Sequence, residues 1–248
     1  MNCEFIKFIR LKKLLFSLIN GILRRSLLNG VALSIEHKEI LKNLHPSPNT
    51  IVDIGANRGQ FTLLSRYLFP NAHVISIEPL RGPANTFRKL FKFDQNVILH
   101  EGAVGPEAKN VSMHVSARDD SSSLLPIGEK QTNVFPGTEE LSLEEISVAP
   151  LNHYVQSDDL VSPALLKIDV QGFELEVLKG CGDFLEKFDY IYVECSFVEL
   201  YKEQALADEV IQYLIYHSFK LNGIYNTFYD KKGIAVQGDF LFSKDQVN

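Results

Sequence analysis

Tryptophan is absent from the 248-residue chain, and cysteine occurs only three times. Cys3, Cys181 and Cys195 share no short motif. So sparse and odd a set excludes a disulfide framework and fits a reducing, cytoplasmic setting. No CxxC pair or Cys/His cluster has zinc-ligand spacing, so no metal site is expected. Ten prolines and fifteen glycines are scattered along the chain, which rules out collagen-like and wholly disordered classes. Positive charge is also short, the net charge being -6, and what there is lies at one end. Residues 1–30 carry Lys7, Arg10, Lys12, Lys13, Arg24 and Arg25 against Glu4 alone, which is +5 and leaves -11 for the rest. An acidic body of that kind argues against a broad nucleic-acid-binding face.

Long apolar runs are missing too. Leu14, Leu15, Phe16, Leu18, Ile19, Ile22 and Leu23 form a stretch that Ser17, Asn20 and Gly21 interrupt, too short to cross a bilayer comfortably. It lacks a small-residue cleavage site of the secretory kind. Two readings remain for it. One is a helix packed on the domain with its basic residues in water; the other is peripheral contact with the inner membrane face through residues 5–28.

Beyond residue 45 the pattern is informative. Short apolar runs at 50–54, 73–78 and 97–104 alternate with helical periodicity at 58–68 and 81–92, the signature of a parallel sheet with right-handed crossovers. A strand that alternates over 111–117 follows, then a stretch from 119 to 147 with no clear period, read as a loop covering the substrate. The alternation resumes with a strand at 165–170, a helix at 173–179, a strand at 190–195 and a helix at 203–217. Segments 219–225 and 235–243 are joined too closely for a helical crossover, so they predict an antiparallel hairpin.

The sharpest local signal is Asp53-Ile54-Gly55-Ala56-Asn57-Arg58-Gly59, at a strand-to-helix junction. Gly55 and Gly59 permit tight backbone and close ligand approach, and the helix that follows presents free N–H groups. Glu78 ends the next strand, 19 residues after Gly59, where a carboxylate can accept both hydroxyls of a ribose. A dinucleotide fingerprint wants three glycines around a pyrophosphate. Here two glycines are spaced G-x-x-x-G, and a carboxylate at Asp53 would repel a pyrophosphate while suiting the amino group of a methionine moiety. The turn therefore prefers S-adenosylmethionine to NAD or FAD.

The stretch LKIDVQGFELEVLKG (166–180) resembles the signature of FkbM-family methyltransferases. VDIGANRGQFT (52–62), ISIEP (75–79), HEGAVG (100–105) and YVEC (192–195) follow the same family in the same order, so the resemblance covers about residues 50–245. It implies an α/β Rossmann-like methyltransferase fold, with a mostly parallel seven-stranded sheet, an antiparallel C-terminal hairpin and helices on both faces. It divides the chain into a basic amphipathic N-terminal helical segment, 1–45, and a methyltransferase domain, 46–248. It implies S-adenosylmethionine as donor and a sugar, glycan or natural-product hydroxyl as acceptor. Carried over by position, Asp53, Gly55, Ala56, Asn57 and Gly59 would line the methionine end, with Glu78 and Pro79 at the ribose. Ala103 would sit near the adenine with Glu101 beside it, and Asp169 would face the methyl group. Gln171 stands where many family members carry glutamate.

An aliphatic hydroxyl must lose its proton during methyl transfer, so a base within reach helps. The candidates are Asp169, Glu194 and His114, with His100 as a further histidine. Asp169 ends a strand where open α/β sheets bind ligands, but a cap for the helix near Phe173 is its structural alternative. Glu194 could orient the acceptor or join Asp169 on a divalent cation. Ser121, Ser122 and Ser123 could hydrogen-bond a polyhydroxyl acceptor or be plain loop. Two other functions compete: a nicotinamide-dependent oxidoreductase, and a non-catalytic membrane-associated adaptor. The sequence leaves the oligomeric state open.

Overall fold

The computed structural model describes Ser26 and residues 29–244. The elements, in chain order, are α1 (Lys38–Lys42), β1 (Thr50–Ile54), α2 (Gln60–Leu68), β2 (His73–Glu78), α3 (Arg81–Phe91), β3 (Val97–Glu101) and β4 (Ala103–Val104). They continue with β5 (Lys109–Ser116), α4 (Glu129–Val134), β6 (Glu140–Ala149), β7 (Ala164–Ile168), α5 (Glu174–Cys181) and β8 (Tyr190–Ser196). The chain closes with α6 (Ala207–Tyr216), β9 (Phe219–Tyr229) and β10 (Ala235–Lys244).

Seven strands form one sheet in the order β3-β2-β1-β7-β8-β10-β9. The first five in that order are parallel, and β10 runs antiparallel to both its neighbours. This is the sheet that the family resemblance implies. β1 and β7 are buried at every position, which is why they read as mainly apolar runs, broken only by Thr50, Asp53 and Lys167: both faces of a parallel sheet are covered. Val52, Ile54, Leu166, Ile168 and Val193 pack on one face with residues of α5 and α6. Ile51, Leu165, Tyr190 and Leu241 pack on the other with residues of α1, α2 and α3. Leu33, Ile40, Leu41 and Leu44 belong to this second cluster, so the residues just before the boundary drawn at 45 share the core of the domain. Each such side chain, fully buried, contributes about 1.5–3 kcal/mol. The candidate membrane segment 5–28 lies outside the described residues except for Ser26. Among the described residues no helix is long and apolar enough to cross a membrane.

Two sequence expectations change. The strand expected at 97–104 is two strands in different sheets, broken at Gly102, where a Cβ would strike the Tyr154 hydroxyl. The loop expected over 119–147 contains α4 and most of β6, and β6 is the central strand of a second sheet, β4-β6-β5. Its pattern was illegible because its apolar positions change phase: Leu141 and Leu143 face solvent, whereas Ile146 and Val148 are buried. No single period of two spans the strand.

The glycine turn after β1 is packed hard against the end of β7. Gly55 has φ +76°, and a Cβ there would overlap the Asp169 backbone carbonyl. Gly55→Ala therefore combines backbone strain with overpacking and should lower stability by about 3 kcal/mol or more. Urea unfolding of the purified variant checks this, and a change under about 1 kcal/mol would contradict the packing described.

Candidate functional site

The carboxyl ends of the parallel strands open into a cavity of about 740 Å³. It runs along the sheet edge from Glu78 on β2, past Gly55 and Asp169, to Glu194 on β8 and Asp239 on β10.

The first wall grows from the glycine turn. Asn57, with φ +46°, directs its N–H to Glu78 Oε2 at 2.8 Å, and the Leu80 N–H donates to Glu78 Oε1 at 2.9 Å. Each carboxylate oxygen is held by one amide and keeps acceptor capacity toward the cavity. Burial pushes the Glu78 carboxyl up to about 7 in spite of the two amides. Pro79, Leu80, Gly102 and Ala103 continue this wall, with Met113 of the second sheet and Leu124 of the loop after β5 also on the lining.

The second wall centres on Lys167, at the end of β7. Its Nζ donates to the Gly55 carbonyl at 3.0 Å, lies 3.1 Å from Asp53 Oδ1 and 3.9 Å from Asp169 Oδ2. Thr62 Oγ1 donates to the other Asp53 oxygen at 2.8 Å. Burial works against the ammonium, but Asp53 and Asp169 outweigh it and hold the group above the usual lysine value.

Gln171 builds the third wall. Its backbone is left-handed, φ +57°. Its Nε2 donates to Asp169 Oδ1 at 2.7 Å and to Glu194 Oε2 at 3.0 Å, while its Oε1 accepts from the Tyr201 hydroxyl at 3.0 Å. An amide can join two carboxylates in this way; an ionised glutamate at this position could donate to neither. Gln237 donates to the remaining Glu194 oxygen at 2.7 Å. Burial first, then Asp169, Asp239 and Glu174, hold the Glu194 carboxyl well above the ordinary range.

Of the residues expected from sequence, Gly55, Ala56, Asn57, Glu78, Pro79, Ala103, Asp169 and Glu194 line the cavity. Four expectations are corrected. Asp53 is fully buried behind Lys167 and does not line the cavity. A Cβ on Gly59 would meet the rings of Phe91 and Phe87, at 2.6 and 2.9 Å, so this glycine serves helix packing. Glu101 turns away to pair with Arg88. His114 is hydrogen-bonded to Glu140 at 2.6 Å, while its neighbour Met113 takes the cavity-facing position. The strand alternation of β5 thus removes His114 from the candidate bases. His100 stacks near Tyr154, outside the cavity lining.

The capping alternative for Asp169 also falls, because Phe173 precedes α5 and Glu174 accepts from the Gly172 and Val170 amides at 2.9 and 3.3 Å. The serines are mostly spent on the protein itself: Ser123 Oγ donates to the Gln171 carbonyl at 2.6 Å and Ser121 lies buried, leaving Ser122 on the cavity lining. Lys167, Gln237 and the residues around His37 were not singled out from sequence. Nothing local marks them, since their partners lie far away in the chain.

Seven strands in this order, with the last hairpin reversed and an acidic clamp at the end of β2, define a Rossmann-like methyltransferase fold. The chain belongs to the methyltransferase FkbM domain family, whose profile matches residues 53–221. It is 26% identical over 159 residues to Methyltransferase 1 of Beauveria bassiana, covering 59% of this chain and 63% of that protein. It is 26% identical over 174 residues to the 2-O-methyltransferase NoeI of Sinorhizobium fredii, covering 68% and 72%. It is 30% identical over 142 residues to the hexuronic acid methyltransferase AglP of Haloferax volcanii, covering 57% and 54%. The matched region thus spans a little over half to about seven-tenths of these relatives. Among solved structures, precorrin-6y C5,15-methyltransferase from Geobacter metallireducens is similar with a TM-score of 0.41 and 13% identity, over 80% of this chain and 81% of that one.

Two measurements test the electrostatics. Lys167→Met strands Asp53 as an unpaired buried charge, and should cost about 3–5 kcal/mol in urea unfolding; adding Asp53→Asn should restore part of the loss. The second concerns pH. Burial pushes Glu78 and Glu174 each up to about 7 from 4.5, so the folded state holds these protons more tightly than the unfolded state. Their contribution is complete below pH 4.5 and is lost as pH rises toward 7, on the order of 3 kcal/mol for each group. Glu174→Gln should flatten that part of the stability profile, and an unchanged slope would contradict the assignment.

Proposed function

We propose that the protein transfers the methyl group of S-adenosylmethionine to a hydroxyl of a neutral sugar-type acceptor. The observation that carries the reading is Glu78: a buried carboxylate on the cavity wall, fixed by two amides and still able to accept two more hydrogen bonds. The paired hydroxyls of a ribose satisfy such a group. Leu80, Ala103 and Met113 offer apolar surface to a purine, and Asp169 offers negative charge to a cation. The residues present therefore fit S-adenosylmethionine. When bound, it supplies a methyl group already activated on a sulfonium. The chain's own part is to position the acceptor and exclude water. A pyrophosphate would meet Glu78 and Asp169 instead of a nest of free amides, which disfavours a nicotinamide dinucleotide.

The relatives NoeI, a 2-O-methyltransferase, and AglP, a hexuronic acid methyltransferase, support a sugar-type hydroxyl as acceptor. The lining of this cavity favours a neutral sugar over a hexuronate. Glu36, Asp169, Glu194 and Asp239 line the half beyond Gly55, against Lys167 and His37, and Lys167 is already committed to Asp53. Among the described residues that line this half, an acceptor carboxylate would find no uncommitted ammonium or guanidinium to receive it.

Glu78 is the residue to substitute, because it lines the cavity whereas Asp53 is buried behind Lys167. Calorimetric titration should show saturable binding of S-adenosylmethionine and S-adenosylhomocysteine, with NAD inert. Glu78→Ala should weaken S-adenosylhomocysteine by about tenfold to a hundredfold. Binding of NAD in place of both would sink the reading. Transfer of labelled methyl to methyl glycosides should exceed transfer to the matching glucuronides; the reverse preference would overturn the neutral acceptor.

A further inference from the structure

The end of the cavity beyond Glu194 is made by parts of the chain outside the family match at 53–221. Glu36 and His37 approach from the amino-terminal side, and Asn226 and Asp239 from the C-terminal hairpin. His37 ends a short 3-10 turn, Ile35–His37. Its Nδ1 lies 2.9 Å from the Tyr192 hydroxyl and 3.2 Å from Asp239 Oδ2. The Tyr192 hydroxyl donates to the same Asp239 oxygen at 2.9 Å, and Asn226 Nδ2 donates to it at 2.7 Å. Burial works to raise the Asp239 carboxyl, but the bonds from His37, Asn226 and Tyr192 hold it below its ordinary value. Edge-on contacts with Phe61 and Tyr192, at centroid distances of 5.7 and 5.4 Å, fix the plane of the imidazole.

Asn226 Nδ2 also lies 3.3 Å from Nδ1 but donates at the shorter 2.7 Å to Asp239, so the arrangement favours one tautomer. An ionised carboxylate, reached directly or through the tyrosine hydroxyl, requires the hydrogen on Nδ1. Nε2 then carries a lone pair, and it has no hydrogen-bond partner among the described residues. Two carboxylates on the neighbouring lining are already engaged by side-chain amides. Glu194 accepts from Gln171 and Gln237 through its two oxygens, and burial with the neighbouring acids raises its carboxyl well above the ordinary range. Asp169 already accepts from Gln171 and faces the Lys167 ammonium. Asp239 stands in register opposite Glu194, so the imidazole closes the same row of cavity-lining groups.

We propose that His37 is the general base for the acceptor hydroxyl, with Asp239 and Tyr192 as the residues that position it. The proposal rests on the methyltransferase reading above. The hydroxyl proton passes to Nε2 as the acceptor oxygen forms its bond to the methyl carbon. The bond from that carbon to the donor sulfur breaks, and its electron pair stays on sulfur. The imidazolium formed is balanced by Asp239, whose negative charge is already in place.

Two independent measurements decide the matter. Nitrogen-15 NMR of the histidine rings in the whole protein, with and without S-adenosylhomocysteine, should show neutral His37 as the Nδ1–H tautomer, and Asp239→Asn should reduce that preference. A neutral His37 with its proton on Nε2 overturns the proposal whatever the acceptor is. In the second, methyl transfer to the best of the methyl glycosides is followed. His37→Gln should lower kcat about a hundredfold or more while S-adenosylhomocysteine affinity stays within twofold, and added imidazole should partly restore His37→Ala. Unchanged kcat in His37→Gln, or no imidazole response in a His37→Ala protein that still binds S-adenosylhomocysteine, overturns it. Failure of the wild-type protein to bind S-adenosylhomocysteine would instead remove the reading on which the base depends, while leaving the tautomer result standing.

Discussion

Lys167 brings an ammonium into the interior of the sheet, and three parts of the chain are arranged around it. Asp53 supplies the buried counter-charge, the Gly55 carbonyl supplies a hydrogen bond, and Asp169 approaches from the end of the same strand. A buried ion pair is costly to assemble, and becomes tolerable when its remaining hydrogen-bonding capacity is met. Thr62 meets part of it at Asp53 and is itself hydrogen-bonded to Ser76 at 2.9 Å. The result ties β1, β7, α2 and β2 together at the point where the glycine turn begins. Backbone that would otherwise be free to reorient is held in the shape that presents Asn57 to Glu78.

From that anchor the polarity of the cavity follows in order. One end has a carboxylate held by backbone amides. The middle has two carboxylates joined by the amide of Gln171. The far end has a carboxylate surrounded by a histidine, a tyrosine and an asparagine. These acids are close enough to repel, and the protein separates their behaviour by giving each a different partner. Three donors hold the Asp239 carboxyl below its ordinary value, whereas burial and the neighbouring acids raise that of Glu194. Gln171 is what allows the middle pair to coexist.

Much of this was legible in the sequence wherever a signal is local. The glycine turn, Glu78 at the end of a strand and Asp169 beside Gln171 all depend on spacing within a short segment, and the structure places Gly55, Asn57, Glu78 and Asp169 on one cavity. The misreadings have geometric causes. Asp53 and Gly59 belong to the motif, but their directions are set by Lys167 and Phe87, residues on other elements. His114 and Met113 differ by one step of strand alternation, which is decided only when β5 pairs with β6. His37 and Asp239 are 202 positions apart, and no window along the chain contains both. Lys167 reads as a polar interruption in an apolar strand until its partner, 114 residues away, is known.

The break at Gly102 has a consequence of its own. β4 pairs with the end of β6, Ala103 with Val148 and Val104 with Ala149, and the Gly105 amide donates to the Ala149 carbonyl at 3.1 Å. The excursion from 105 to 149 therefore leaves and returns at neighbouring points. It carries Met113, Ser122 and Leu124 to the mouth of the cavity without contributing a strand to the large sheet. A segment with adjacent ends can change length at small entropic cost, since loop closure varies only slowly with length. The chain thus holds a replaceable part: the wall that this segment adds to the cavity can be recut while the large sheet beneath keeps its register.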